Sequence, residues 1–164
     1  MLSKPQAILF DWDNTLVDTG GPIHKAMNKT LEHYNYALWD LETFKIYSHQ
    51  SSKNLFPNIF KDQWQEARAF FYKTMNQVPL EELVVLPYAF ELLAFLQEKL
   101  IPLGVVSNKH REFLRREIEY LKWQDFFQTI VGSGDAPQDK PHPAPILLAL
   151  ENMNLSPSPH HWYV

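Results

Sequence analysis

Gln6-Ala7-Ile8-Leu9-Phe10-Asp11-Trp12-Asp13-Asn14-Thr15-Leu16-Val17-Asp18-Thr19 is the stretch whose reading decides the fold. Gln6 to Phe10 is a short, nearly all-apolar run, the pattern of a strand buried on both faces in a parallel sheet. Polar residues end it abruptly. In extended chain, residues two apart point the same way, so Asp11 and Asp13 present two carboxylates to one side at the strand's carboxyl end. That end of an open parallel sheet is where ligands bind. Two carboxylates side by side repel, and a hard cation relieves the repulsion. Mg2+ prefers one or two carboxylates completed by water and phosphate oxygens. A bare D-x-D also suits a polar loop that merely caps a strand, so its context has to decide.

Outward from this stretch, the chain alternates helix and strand. Ala89, Leu92, Leu93, Leu96 and Leu100 recur at helical spacing, and Leu103 to Val106 reads as a second buried strand. Leu114, Ile118 and Leu121 mark the next helix, Thr129 to Val131 a third strand, and Ile146, Leu147, Leu150 and Met153 a helix after a Pro-rich start. This alternation predicts an α/β fold with a doubly wound, Rossmann-like parallel sheet. After Gly20-Gly21-Pro22 the character changes. The stretch to about Val78 is rich in aromatic residues and lysine, with Trp64, Ala67, Phe71, Met75 and Val78 at helical spacing. The expected organisation is a core of residues 1–19 and 82–164 with an inserted all-helical unit over 20–81.

Length and composition fit that division. A chain of 164 residues, 45% hydrophobic and 21% charged, accommodates one globular unit and a modest insertion. Its net charge is -4, and its seven His and fifteen Lys+Arg form no basic run, which argues against a nucleic-acid partner. Cysteine is absent, so there is no disulfide and no thiolate metal site, a composition that fits a reducing cytoplasm. The opening residues are too short and too acidic a stretch for a signal peptide or a membrane span.

Two further segments carry chemistry. Ser107-Asn108-Lys109 lies where the second strand is expected to give way to a helix, and a hydroxyl with backbone N–H groups at a helix start makes an anion site. Taken alone, the same residues serve as an ordinary N-cap. Asp139-Lys140-Pro141-His142-Pro143 offers a lysine stiffened by prolines. Its compact ammonium suits the neutralising of phosphate charge and the holding of an aspartate in its ionised form.

Together, strand plus D-x-D-x-T, Ser-Asn-Lys after the second strand and Lys-Pro-x-Pro after the third resemble the motifs of the haloacid dehalogenase superfamily. The resemblance spans the whole chain and is nearest to the phosphoglycolate phosphatase-like members. It implies that Asp11 is a covalent nucleophile and Asp13 the acid and base. It also implies that Ser107 bonds the transferring phosphoryl group, that Lys140 steadies its charge, and that Thr15 and Asn108 join them around the substrate phosphate. The implied cofactor is Mg2+ on Asp11 and Asp13, and the implied partner a small phosphorylated metabolite, with no nucleic acid or membrane. Asn14 stands where the commonest family form has Gly, and Asn tolerates the left-handed turn conformation better than other non-glycine residues. His142 falls at a position the family does not use and is read as a surface histidine.

His160 to Val164 resembles the fourth strand, which in the family leads into a Gly-Asp metal motif. Nothing follows Val164. The expectation is therefore a C-terminally incomplete enzyme with weak Mg2+ affinity and an exposed strand edge where chains tend to pair. Asp13 disfavours dehalogenation, which has no leaving alkoxide to protonate. The alternatives are a sugar-phosphate mutase of the same superfamily and a non-catalytic remnant. In the inserted unit, which in the family is a cap closing over the site, His24, Lys25, His49, Lys53 and Arg68 are candidates to meet an acidic substrate. A solvated face is the commoner use of such residues. The aromatic residues Trp39, Phe44, Tyr47, Trp64, Phe70 and Phe71 are expected mostly to bury the unit's own core.

Overall fold

The protein, seen in a computed structural model, is described over residues 4–164. Its elements run β1 (Ala7–Phe10), β2 (Val17–Asp18), α1 (Gly20–His33), α2 (Leu41–Tyr47), α3 (Ser52–Phe60), α4 (Trp64–Met75), β3 (Val84–Val85) and α5 (Ala89–Glu98). They continue with β4 (Leu103–His110), α6 (Arg111–Tyr120), β5 (Thr129–Ser133), α7 (Ala144–Asn152) and β6 (His161–Tyr163). Short 3-10 turns at Lys61–Gln63, Leu80–Glu82 and Gln124–Phe126 link some of them.

Four strands form one parallel sheet in the order β5-β4-β1-β6. Chain order thus runs outward from β1 through β4 to β5, and β6 then returns to the other side of β1. The direction reverses at β1, so the crevice beyond its carboxyl end is the expected ligand site of a doubly wound sheet. All four residues of β1 are buried, as its unbroken apolar sequence requires for a strand covered on both faces. Ala7 and Leu9 join Val106, Val131, Ala149, Leu150 and Met153 in one core cluster, under α7.

The chain divides into two compact units, the first made of residues up to Asp18 together with Val84–Val164, the second of Thr19–Leu83. Val84 and Val85 fall in the first because they pair antiparallel with Asp18 and Val17. In the described residues the second unit is helical, α1 to α4 with two 3-10 turns. Its core gathers Met27, Leu31, Leu55, Phe56, Phe60 and Ala67, with Trp39, Trp64 and Phe71 packed against it. Phe44 is buried, Phe70 stacks on His33 and Tyr47 on Trp39. Of the ionisable candidates there, His24 Nε2 is bonded to the Trp39 carbonyl at 2.8 Å, and the Arg68 guanidinium lies over the Trp64 ring.

Several boundaries differ from the sequence reading. Leu92 and Leu100 are exposed, and the helix stops at Glu98 because Leu100 adopts a left-handed φ of 54° that no helix continues through. Val78 lies beyond the end of α4, and Leu121 caps α6. Strand β5 runs two residues past Val131, and the fourth strand is shorter than 160–164. The largest change concerns Ser107-Asn108-Lys109. These residues belong to β4, and α6 starts only at Arg111, so they do not open a helix. The register against β5 shifts between Val106 and His110, which frees this stretch from a regular ladder.

Candidate active site

The chain leaves β1 into a tight turn built on one carbonyl. Trp12 C=O accepts from the N–H groups of Thr15, Leu16 and Val17, at 3.3, 3.0 and 3.2 Å. Asn14 sits in this turn at φ 61°, the left-handed conformation anticipated for it. The alternation read from the sequence holds. The Asp11 and Asp13 side chains keep 33% and 22% of their surface exposed, whereas Trp12 between them is fully buried.

Lys140 reaches this turn from the loop before α7. Its ammonium lies 3.0 Å from Asp11 Oδ1, donates to the Val106 carbonyl at 3.0 Å, and donates to the Tyr163 hydroxyl. Asp11 Oδ1 also accepts from the Trp12 N–H at 2.7 Å, which pins the carboxylate's direction. The Tyr163 hydroxyl in turn donates to the Val106 carbonyl at 3.2 Å. Burial and the nearby Asp11 charge push the Tyr163 phenol upward, so it stays neutral.

Asn108 ties the second motif to the third. Its Oδ1 accepts from the Lys140 N–H at 2.9 Å, and its Nδ2 donates to the Lys140 carbonyl at 3.0 Å. The amide is therefore engaged at both ends in holding Lys140. Ser107 is buried, and its Oγ accepts from the Lys109 N–H at 3.2 Å. Asp139 is buried too, accepting from Ser133 Oγ at 3.0 Å. His142 is exposed, as read, and its Nδ1 accepts from the Ala144 N–H at 3.1 Å, a local bond at the start of α7.

A second lysine meets the second aspartate. Lys109 Nζ lies 2.7 Å from Asp13 Oδ1, and it donates to Glu117 Oε1 and Oε2 at 2.8 and 2.6 Å. Glu117 Oε2 also accepts from Trp12 Nε1 at 2.7 Å. Burial works to lower the Lys109 pKa, but the Asp13 and Glu117 carboxylates outweigh it and raise the value. Burial, reinforced by the Asp13 charge, raises Glu117 against the pull of Lys109. One ammonium thus serves two carboxylates.

The structure therefore brings Asp11, Asp13, Ser107, Asn108 and Lys140 to one end of the sheet, and Thr15 contributes its backbone to the turn between them. The sequence reading does not single out Lys109 as an ion-pair partner, nor Glu117 at all. The available signals are a lysine just past the apolar run Leu103 to Val106 and a glutamate on the Leu114, Ile118 stripe of α6, three residues from Leu114.

The donor chemistry suits a hard divalent cation. Asp11 and Asp13 supply two carboxylates, and among the described residues no cluster of three or more His, Cys, Asp or Glu is present to hold a metal. Mg2+ is a cation of this kind, since it is commonly held by one or two carboxylates, and these two residues would hold it. No helix among the described residues is long and apolar enough to cross a membrane.

Comparison with known proteins points the same way. The family described as haloacid dehalogenase-like hydrolase matches residues 8–164. Phosphoglycolate phosphatase of Aquifex aeolicus is 30% identical over 159 residues, covering 93% of this chain and 72% of its own. Pyrophosphatase PpaX of Bacillus pumilus is 29% identical over 159 residues, covering 94% and 72%. A haloacid dehalogenase-like hydrolase of Streptococcus pneumoniae of known structure superposes with a TM-score of 0.81 at 26% identity, covering 94% of this chain and 72% of that one. With a match from the first buried strand to Val164 and the α/β fold in common, this chain belongs to the haloacid dehalogenase-like hydrolase family.

Proposed function

We propose that this protein hydrolyses small phosphomonoesters through a phosphorylated Asp11. The observation that carries the reading is the contact of Lys140 Nζ with Asp11 Oδ1 at 3.0 Å, beside a second carboxylate two residues on. A carboxylate paired with an ammonium and directed by the Trp12 N–H is a prepared nucleophile.

In the first step an Asp11 carboxylate oxygen attacks phosphorus. The bond from phosphorus to the leaving oxygen breaks, and that oxygen takes its proton from Asp13. In the second step Asp13 removes a proton from water, the water oxygen attacks phosphorus, and the Asp11–phosphorus bond breaks to release phosphate. One residue serves as acid and then as base. Lys140 and Ser107 counter the charge on the phosphoryl oxygens, the dominant demand of phosphoryl transfer. Asp11 and Asp13 are the residues that would hold Mg2+, which when bound supplies further charge neutralisation. The inserted helical unit is read as the family's substrate-selecting cap. The relatives named phosphoglycolate phosphatase and pyrophosphatase make small, strongly anionic phosphates the first substrates to try.

The test is phosphate release from a panel of such compounds with and without Mg2+, using Asp11→Asn as control. The reading requires release that depends on both, with the variant at least about 1000-fold slower, as for loss of a covalent nucleophile. Equal release by wild type and Asp11→Asn overturns it.

A further inference from the structure

We propose that Lys109 is a positioning residue for Asp13, so that each aspartate of the pair has its own lysine. The inference rests on the reading of Asp13 as acid and base. Lys140 meets Asp11, and Lys109 meets Asp13. The two lysines differ in setting. Lys140 stands in a loop, partly exposed, whereas the Lys109 side chain is 4% exposed and is held from behind by both oxygens of Glu117.

The contacts form a continuous support. Helix α6 carries Glu117, Glu117 is fixed by the indole N–H of Trp12, and Trp12 is locked edge-on against Trp123 at 5.9 Å. Lys109 is thereby anchored and presents its ammonium to Asp13 Oδ1. Stability alone gives little reason for such a group, because a buried ion pair replaced by apolar residues of similar size is often no less stable. Glu117, Lys109 and Trp12 are all buried, and the one member with appreciable exposure is Asp13. The consequence of the cluster that reaches the site is the placement of that carboxylate. Holding a proton-transfer group to a fraction of an ångström is the usual reason for a well-packed supporting shell.

The experiment uses the full chain with Lys109→Met, and with Lys109→Met combined with Glu117→Gln. The second variant keeps an acceptor for Trp12 Nε1 and leaves no unpaired buried charge, so it folds if the single variant does not. Folding is checked by circular dichroism. Two esters are compared under Mg2+, phosphoglycolate and p-nitrophenyl phosphate. The first expels an alkoxide that must be protonated, whereas nitrophenolate leaves without a proton. Because kcat/KM reports events up to phosphorylation of Asp11, a displaced general acid lowers it for the first ester only.

The expected result is a fall of about 100-fold for phosphoglycolate, within the usual contribution of general acid catalysis. For p-nitrophenyl phosphate kcat/KM stays within about threefold of wild type, while kcat falls because Asp13 is also needed to activate water. A crystal structure of the double variant gives a readout free of activity, with Asp13 expected to leave its wild-type rotamer. Equal losses of kcat/KM on both esters, no loss of kcat/KM on either, or an unmoved Asp13 overturns the proposal. If wild type releases phosphate from no ester, the hydrolase reading fails, and the Asp13 rotamer still decides whether Lys109 positions it.

Discussion

Asn108 clasps the backbone of Lys140 from both sides, its Oδ1 taking the Lys140 N–H at 2.9 Å and its Nδ2 giving to the Lys140 carbonyl at 3.0 Å. The clasp spans 32 positions of sequence and fixes where the lysine leaves the loop. Asn108→Ala removes both bonds and frees that loop. The expected outcome is a loss of about 10- to 100-fold in kcat, as for a displaced supporting group, with the folded state retained. Steady-state kinetics and a thermal melt check it, and unchanged kcat would show that the clasp does not govern Lys140.

Trp12→Phe tests the indole bond to Glu117. Phenylalanine keeps most of the buried ring but leaves a buried carboxylate oxygen without the donor it has at 2.7 Å. The expected destabilisation is about 1.5 to 3 kcal/mol, the range for hydrogen bonds to charged groups. Urea denaturation of both proteins measures it.

Stability should fall at alkaline pH through Lys109. Its pKa in the folded protein lies above the ordinary 10.5, so its contribution is fully present below that value and is lost as pH rises through the folded-state pKa. Glu117 acts with the same sign, since a raised acid pKa also means that the fold favours the protonated form, but its loss sets in as pH rises above the ordinary 4.5, well below the alkaline range of Lys109. The Lys109→Met, Glu117→Gln double variant lacks both groups. Melting temperatures of the two proteins from about pH 9 to pH 12 should show a steeper alkaline decline for wild type; parallel curves would contradict the buried pairing.

Gly132→Ala examines close packing beside the site. A Cβ at Gly132 would lie 2.6 Å from Arg111 Cα and 2.9 Å from the Lys109 carbonyl oxygen, both backbone atoms that cannot swing aside. Overpacking of this kind costs about 1 to 3 kcal/mol. The strain falls on the junction of β4 and α6, so turnover should drop together with the denaturation midpoint.

How much of the fold and the site is legible in the sequence depends on the length over which each signal acts. Strand β1 is readable because a buried parallel strand is apolar at every position, and Ala7 to Phe10 satisfy that without a gap. Asp11, Asp13 and Asn14 follow from strand alternation and turn geometry, both local. Leu100 reads wrongly as part of a helix face because apolar spacing does not record the left-handed φ that ends α5 just before it. Ser107 to Lys109 read as a helix start because the strand's apolar run stops at Val106. The continuation of β4 to His110 depends on pairing with β5, which the local pattern does not contain. The pairing of Lys109 with Glu117 is hidden for another reason. Charged residues default to solvent, and only the fold places this lysine, this glutamate and Trp12 within hydrogen-bonding distance.

The antiparallel pairing of Val17 with Val85 has a meaning beyond the sheet it forms. The chain departs into the helical unit and returns from it at adjacent positions, so the core meets its insertion as it would meet the tip of a hairpin. Closing that hairpin with a few residues, or with a different folded segment, asks little of the strands on either side, because loop-closure entropy changes slowly with length. With the helical unit read as the selecting cap proposed above, chemistry and selectivity become separable parts. The sheet and its lysine-supported aspartates can stay constant while the inserted piece is exchanged, and a chimera joined at Val17 and Val85 is the natural form in which to exchange it.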